Sequence, residues 1–247
     1  MWLSGFRKKF WAFLIFRFTR MFYRIKWEGR ENLEALKKHL QNGSAIIVFN
    51  HISLDDTLIL LIILYFELGT QIKRIFIPAS LRHWKELGLG TLMRLSLLFG
   101  LEPFPILQNY ERGSVLPKGT FERDRLLLDT ALSVLAKPGA IILFAPEGTR
   151  ASGKLLVFQR GIGILTKLVA RGGSNTWILP VGIEIKGRVS REINPGKKFI
   201  VHFGRLFSVA QIVAQINEDS KAQKTSLPVI IQARVAELLP PEYTRAA

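Results

Sequence analysis

The sequence predicts an α/β protein, with a mixed and largely parallel sheet flanked by helices. Short runs rich in β-branched residues, bounded by turn formers, alternate along the chain with longer stretches of helical period, the pattern of strands joined through covering helices. The chain is also large enough for a substantial core: 247 residues, 48% hydrophobic and 22% charged, fit one globular domain better than a disordered chain.

The first segment differs from the rest. Residues 1–27 hold seven Lys or Arg and no Asp or Glu, interleaved with aromatic residues from Trp2 to Trp27. On a helical wheel Trp11, Leu14, Ile15, Phe18, Phe22 and Ile25 share one face and Lys9, Arg17, Arg20 and Arg24 the opposite one, the pattern of a helix lying in a membrane interface. An amphipathic helix packed on its own domain has the same wheel. A secretory signal fits poorly, because Arg17, Arg20, Arg24 and Lys26 interrupt the apolar run. Residues 1–27 are therefore expected to be a membrane-associating segment, and residues 28–247 a single domain.

Residues 45–49 (AIIVF), set between Asn42-Gly43-Ser44 and Asn50, read as a buried strand, and residues 57–68 as an apolar helix ended by Gly69. Residues 74–78 predict a second strand and residues 84–99 a helix weakened by Gly88 and Gly90. Gly113, Pro117 and Gly119 place the longest loop at residues 108–120. Residues 140–144 read as a third strand, 161–170 as a helix stopped by Arg171-Gly172-Gly173, and 177–185 as a fourth strand. Residues 198–203 alternate like a further strand, and residues 209–217 and 228–239 read as helices, the latter stopped by Pro240-Pro241.

Composition narrows the chemistry. With no cysteine, disulfides, thiolate metal sites and an acyl-cysteine intermediate are excluded. His39, His83 and His202 have no metal-ligand spacing, so no metal site is expected. No apolar run reaches the roughly 18 to 20 residues that span a bilayer; the longest covers residues 58–66. A net charge of +16 suits partners bearing phosphate. Nucleic acid is not expected, because the cations are spread along the chain without a reader motif and are densest among membrane-type aromatics.

Two turns carry candidate chemistry. In Asn50-His51-Ile52-Ser53-Leu54-Asp55-Asp56, a histidine at the strand end and a carboxylate in the first helical turn form a general base with its orienting partner. Five residues of unbroken helix would rotate the two about 140° apart, so the pairing needs the turn. Ser53 to Asp56 also matches a capping box, and Asp55 competes as the partner. In the second turn, Glu147-Gly148-Thr149-Arg150 follows a strand where backbone N–H groups, a hydroxyl and a guanidinium converge on an anion, unless it is only a polar loop. The run from Gly148 to Lys154 is one residue short of a nucleotide-binding loop and has Leu155 in place of the metal-binding hydroxyl. That and the lack of an Asp in the following strand argue against an NTPase.

Together NHISLDD, FAPEGTR and ILPVGI resemble three motif blocks of the glycerolipid acyltransferases, typified by the 1-acylglycerol-3-phosphate acyltransferases, in the family's order and spacing. The likeness extends over residues 27–207, and Leu238-Leu239-Pro240-Pro241-Glu242-Tyr243 looks like the ending of many bacterial members. The resemblance implies an O-acyltransferase that moves a fatty acyl chain from acyl-CoA or acyl-acyl carrier protein, as co-substrate without a further cofactor, to a lysophospholipid hydroxyl. It implies His51 as base, Asp56 as its orienter, and Glu147, Gly148, Thr149 and Arg150 as the acceptor's phosphate site, with Pro180 in a block associated with the acyl chain. The expected setting is the membrane surface on the cytoplasmic face. The second family block usually ends in an Arg, whereas residues 100–108 here (GLEPFPILQ) have none, which makes Arg112 a candidate acceptor ligand. Gln159 stands where the family often has Lys, with Arg160 beside it as a candidate replacement. The altered second block also motivates an alternative, a catalytically silent lipid-binding protein on the same fold.

Overall fold

A computed structural model describes residues 17, 21, 23–53, 55–80, 101–106, 120–151, 153–186, 196–219 and 226–244. The helix expected at residues 84–99, Arg112, most of the expected N-terminal helix and all of the loop expected at 108–120 except Thr120 lie outside them; Thr120 opens a helix. Within that N-terminal stretch Arg17 and Met21 have helical backbone.

Among the described residues eight strands form one sheet. They are β1 (Arg24–Glu28), β2 (Ser44–Phe49), β3 (Arg74–Ser80), β4 (Leu101–Ile106), β5 (Ala140–Phe144), β6 (Thr176–Lys186), β7 (Lys198–Phe203) and β8 (Phe207–Ser208). Their order is β1-β7-β6-β2-β5-β3-β4, with β8 on β6. The block β6-β2-β5-β3-β4 is parallel throughout, while β1 and β7 run parallel to each other and antiparallel to β6. The mixed, largely parallel α/β fold is thus present. β2 is buried at every position, as expected of a central strand covered on both faces.

The helices are α1 (Arg30–His39), α2 (Asp55–Leu68), α3 (Thr120–Leu135), α4 (Arg160–Arg171), α5 (Val209–Asp219), α6 (Leu227–Ala236) and α7 (Pro241–Thr244). α1 packs on α2 and β7, whereas α3, α4, α5 and α6 contact one another and, variously, β2, β3, β4, β5 and β6. α2 is apolar around most of its circumference and buries Ile59, Leu60, Ile63 and Leu64 completely.

The helical reading of residues 24–27 is corrected: they belong to β1. Arg24, Lys26 and Glu28 are exposed while Ile25 is buried, a period of two, and Ile25 pairs with Phe199. Over four residues this alternation also fits a helical wheel. The helix predicted to run on to residue 239 ends at Ala236, and Pro241 opens α7 as well as halting what precedes it.

Candidate active site

The two candidate turns leave the C-terminal ends of β2 and β5, which are neighbours in the sheet with Val48 beside Phe144. Ligand crevices of open α/β sheets form at such ends. His51 Nδ1 lies 3.0 and 2.9 Å from the two Asp56 carboxylate oxygens, and Asp56 has no exposed surface. An acceptor-only carboxylate fixes the Nδ1–H tautomer, so Nε2 is the nitrogen available to take a proton. The His51 side chain keeps 19% of its surface, enough for a substrate to reach it.

Asp56 also does the work of a cap. Its Oδ2 accepts the backbone N–H of Ile52 at 2.7 Å and of Ser53 at 3.0 Å, while Ser53 Oγ accepts the Asp55 N–H at 3.1 Å. Capping box and dyad therefore coexist in one carboxylate. Asp55 points elsewhere, to Tyr23 and Lys197, which settles the choice of partner.

Glu147 joins the two turns. It is 3% exposed; Oε1 accepts the His51 N–H at 3.0 Å and Oε2 the Leu156 N–H at 3.1 Å. The Ala151 N–H donates to the His51 carbonyl at 2.7 Å, so His51 is held at both backbone groups. Within the second loop the Gln159 N–H reaches the Pro146 carbonyl at 2.8 Å, and the Leu155 N–H reaches the Tyr243 carbonyl at 2.8 Å. Gly148 takes φ +69°, a conformation that favours glycine. Thr149 is exposed and Arg150 half-buried on this loop, whereas Arg160 is exposed at the start of α4. Five residues, 155–159, separate Lys154 from α4, so the loop does not feed directly into a helix as a nucleotide-binding loop does.

Charge tunes the base. Burial disfavours the His51 cation, but the charge and hydrogen bond of Asp56, with the charge of Glu147, outweigh it and raise the imidazole above its ordinary pKa; Arg150 pulls the other way. Burial pushes Glu147 up to about 7 against the two N–H donors and His51, which favour its charged form, with Asp56 adding a smaller upward push. Among the described residues no cluster of three or more His, Asp or Glu side chains is placed to hold a metal ion. The arrangement is that of a half-buried imidazole, oriented by a carboxylate, beside a loop carrying a hydroxyl and a guanidinium.

The family model for acyltransferases matches residues 24–184, which spans every element from β1 to β6 and both turns. The chain belongs to the acyltransferase family. Among curated proteins no sequence matches this acyltransferase. Membership of the family makes it an O-acyltransferase acting on glycerolipids.

Two further residues of the acyltransferase, Asn50 and Pro180, tie the C-terminal end of β2 to β6. Asn50 is 1% exposed; its amide donates to the Ile183 carbonyl at 2.9 Å and its carbonyl accepts the Ile183 N–H at 2.7 Å. This pins the turn to β6, and the signal was a lone amide directly after an apolar run. Pro180 lies buried in β6 beside Val48 of β2, and its carbonyl accepts the Gly204 N–H at 2.9 Å.

Proposed function

We propose that this acyltransferase moves a fatty acyl chain from an acyl thioester, carried by coenzyme A or acyl carrier protein, to a lysophospholipid hydroxyl at a membrane surface. The acceptor we favour is 1-acylglycerol-3-phosphate. The single observation that carries the reading is the His51–Asp56 pair, with Nδ1 engaged and Nε2 left for a substrate. His51 removes the acceptor's hydroxyl proton as its oxygen attacks the thioester carbonyl. Collapse of the adduct breaks the C–S bond, and the imidazolium returns the proton to the departing thiolate. Asp56 holds the tautomer and offsets the imidazolium charge; no acyl-enzyme forms.

Gly148, Thr149 and Arg150 bind the acceptor's phosphate, with Arg160 as a further cation. The electrostatic influence of Arg150 on His51 supports a phosphate site close to the base. Glu147 serves this site by fixing the His51 backbone, since both of its oxygens accept main-chain N–H groups. Residues 1–22 dock the enzyme on the cytoplasmic face of the membrane. Among the described residues no helix is long and apolar enough to cross a bilayer.

Transfer of labelled acyl groups from acyl-CoA and from acyl-acyl carrier protein to lysolipids on vesicles tests the reading, with His51→Ala alongside. Turnover by the parent that disappears in the variant is expected. Vesicle binding without transfer from either donor to any lysolipid would instead make the protein a silent lipid binder.

A further inference from the structure

A second buried carboxylate stands next to the dyad. Asp55 is 1% exposed and immediately precedes Asp56. Its Oδ2 accepts Lys197 Nζ at 2.8 Å and Ser53 Oγ at 3.2 Å, and its Oδ1 accepts the Tyr23 hydroxyl at 3.1 Å. Lys197 Nζ also reaches Ser53 Oγ at 3.1 Å, and its side chain is 4% exposed. A lysine so deeply buried is rare unless paired, and so is an aspartate.

The place of this cluster gives it a role. Tyr23 directly precedes β1, Lys197 directly precedes β7, and Ser53 and Asp55 belong to the turn that carries the dyad. Ser53 is gripped from both sides. Its backbone N–H donates to Asp56, and its hydroxyl donates to Asp55 and accepts from Lys197, so a shift at the cluster is passed to the carboxylate that orients His51. Electrostatics point the same way. Two adjacent aspartates in a dry turn repel each other, and an opposite charge on one of them relieves this.

We propose that Lys197, Asp55 and Tyr23 are positioning residues for acyl transfer, a charge-balanced clamp that seats the turn and keeps the field of the second aspartate off the dyad. This rests on His51 being the general base. Among the described residues, the groups facing His51 include Asp56 from α2 and Glu147 and Arg150 from the second loop; those facing Asp55 include Tyr23, Ser53 and Lys197.

The test is a nuclear magnetic resonance titration of the His51 imidazole, assigned with His51→Ala, in the full chain carrying Asp55→Asn, Lys197→Met or both. This readout needs no substrate, so failure of the clamp and failure of the proposed reaction are separable. Asp55→Asn removes the carboxylate that faces Lys197 and is expected to lower the His51 midpoint by about 0.5 unit, a buried charge acting over several ångströms. The double variant carries no net charge change and is expected to return the midpoint towards that of the parent. In turnover, Lys197→Met is expected to lose about tenfold or more in kcat with little change in KM, as for a displaced base. Tyr23→Phe, which removes one hydrogen bond and no charge, guards against a charged variant that fails to fold and should lose a few-fold in kcat. A midpoint unmoved by Asp55→Asn, or a double variant displaced as far as the single one, would overturn the clamp.

Discussion

In the proposed reaction two demands meet at His51, because a general base must be basic enough to take a proton and neutral when the acceptor arrives. Asp56 and Glu147 raise its pKa, so its basicity comes with a larger protonated fraction near neutrality. Activity should climb with pH along an acidic limb set by His51, with its midpoint above the unperturbed histidine value of about 6.5. Asp56→Asn should cost about 10⁴ in kcat, since the amide no longer enforces the productive tautomer. Initial rates across pH for parent and variant check both expectations. Glu147 leaves a second mark, this time on stability. Its folded pKa of about 7 exceeds the ordinary carboxylate value, so the native state binds more protons between about 4.5 and 7 and stability falls as pH rises through that window. His51, also raised, loses its contribution only above about 6.5, so the two act in the same direction. Denaturant unfolding at pH 5 and pH 7.5 should show the parent weaker at the higher value, with the difference reduced in Glu147→Gln.

The elements were legible in proportion to how their periods stood out. Residues 140–144 and 198–203 are legible with the bounds that the structure shows, the first as an apolar run too short for a helix and the second by its alternation of period two. β4 was passed over because Pro103 and Pro105 argue against a strand; it is an edge strand, where proline's missing donor costs little. α1 and α3 were missed although Leu33, Leu36 and Leu40, and Leu127, Ala131 and Val134, repeat at helical spacing. The His51–Asp56 pair is legible as a candidate from the turn, with Asp55 as its rival, but the inward aim of Glu147 and the Lys197 partner that takes Asp55 away arise from chain segments about 100 and 140 residues distant, which no local pattern encodes. Two element-scale predictions follow from close approaches. Asn50→Ala strands the Ile183 N–H and carbonyl and should cost about 2–4 kcal/mol of stability, at roughly 1–2 kcal/mol per buried group. Gly29 has φ +81° and an added Cβ would lie 2.1 Å from the Phe203 carbonyl oxygen, so Gly29→Ala must move α1 and should exceed the ~1–2 kcal/mol of a left-handed residue alone. Thermal or denaturant unfolding measures each.

Over the whole molecule, a net charge of +16 and the basic aromatic segment before β1 suit a surface of anionic lipid. Binding to vesicles rich in acidic lipid should weaken as salt rises, and replacing Lys9, Arg17 and Arg20 with Glu should remove most of it, at about 1 kcal/mol per charge. Cosedimentation with vesicles over a salt series gives the answer. The reversed direction of β1 then acquires a consequence. Because β1 runs against β2, the chain enters the sheet at the end where His51 sits, and the Tyr23 hydroxyl on Asp55 fixes that proximity. Under the proposed docking of residues 1–22, the tether and the reacting groups share one pole of the molecule. The acceptor then meets its base by diffusing in two dimensions, and its acyl tail need never be extracted into water.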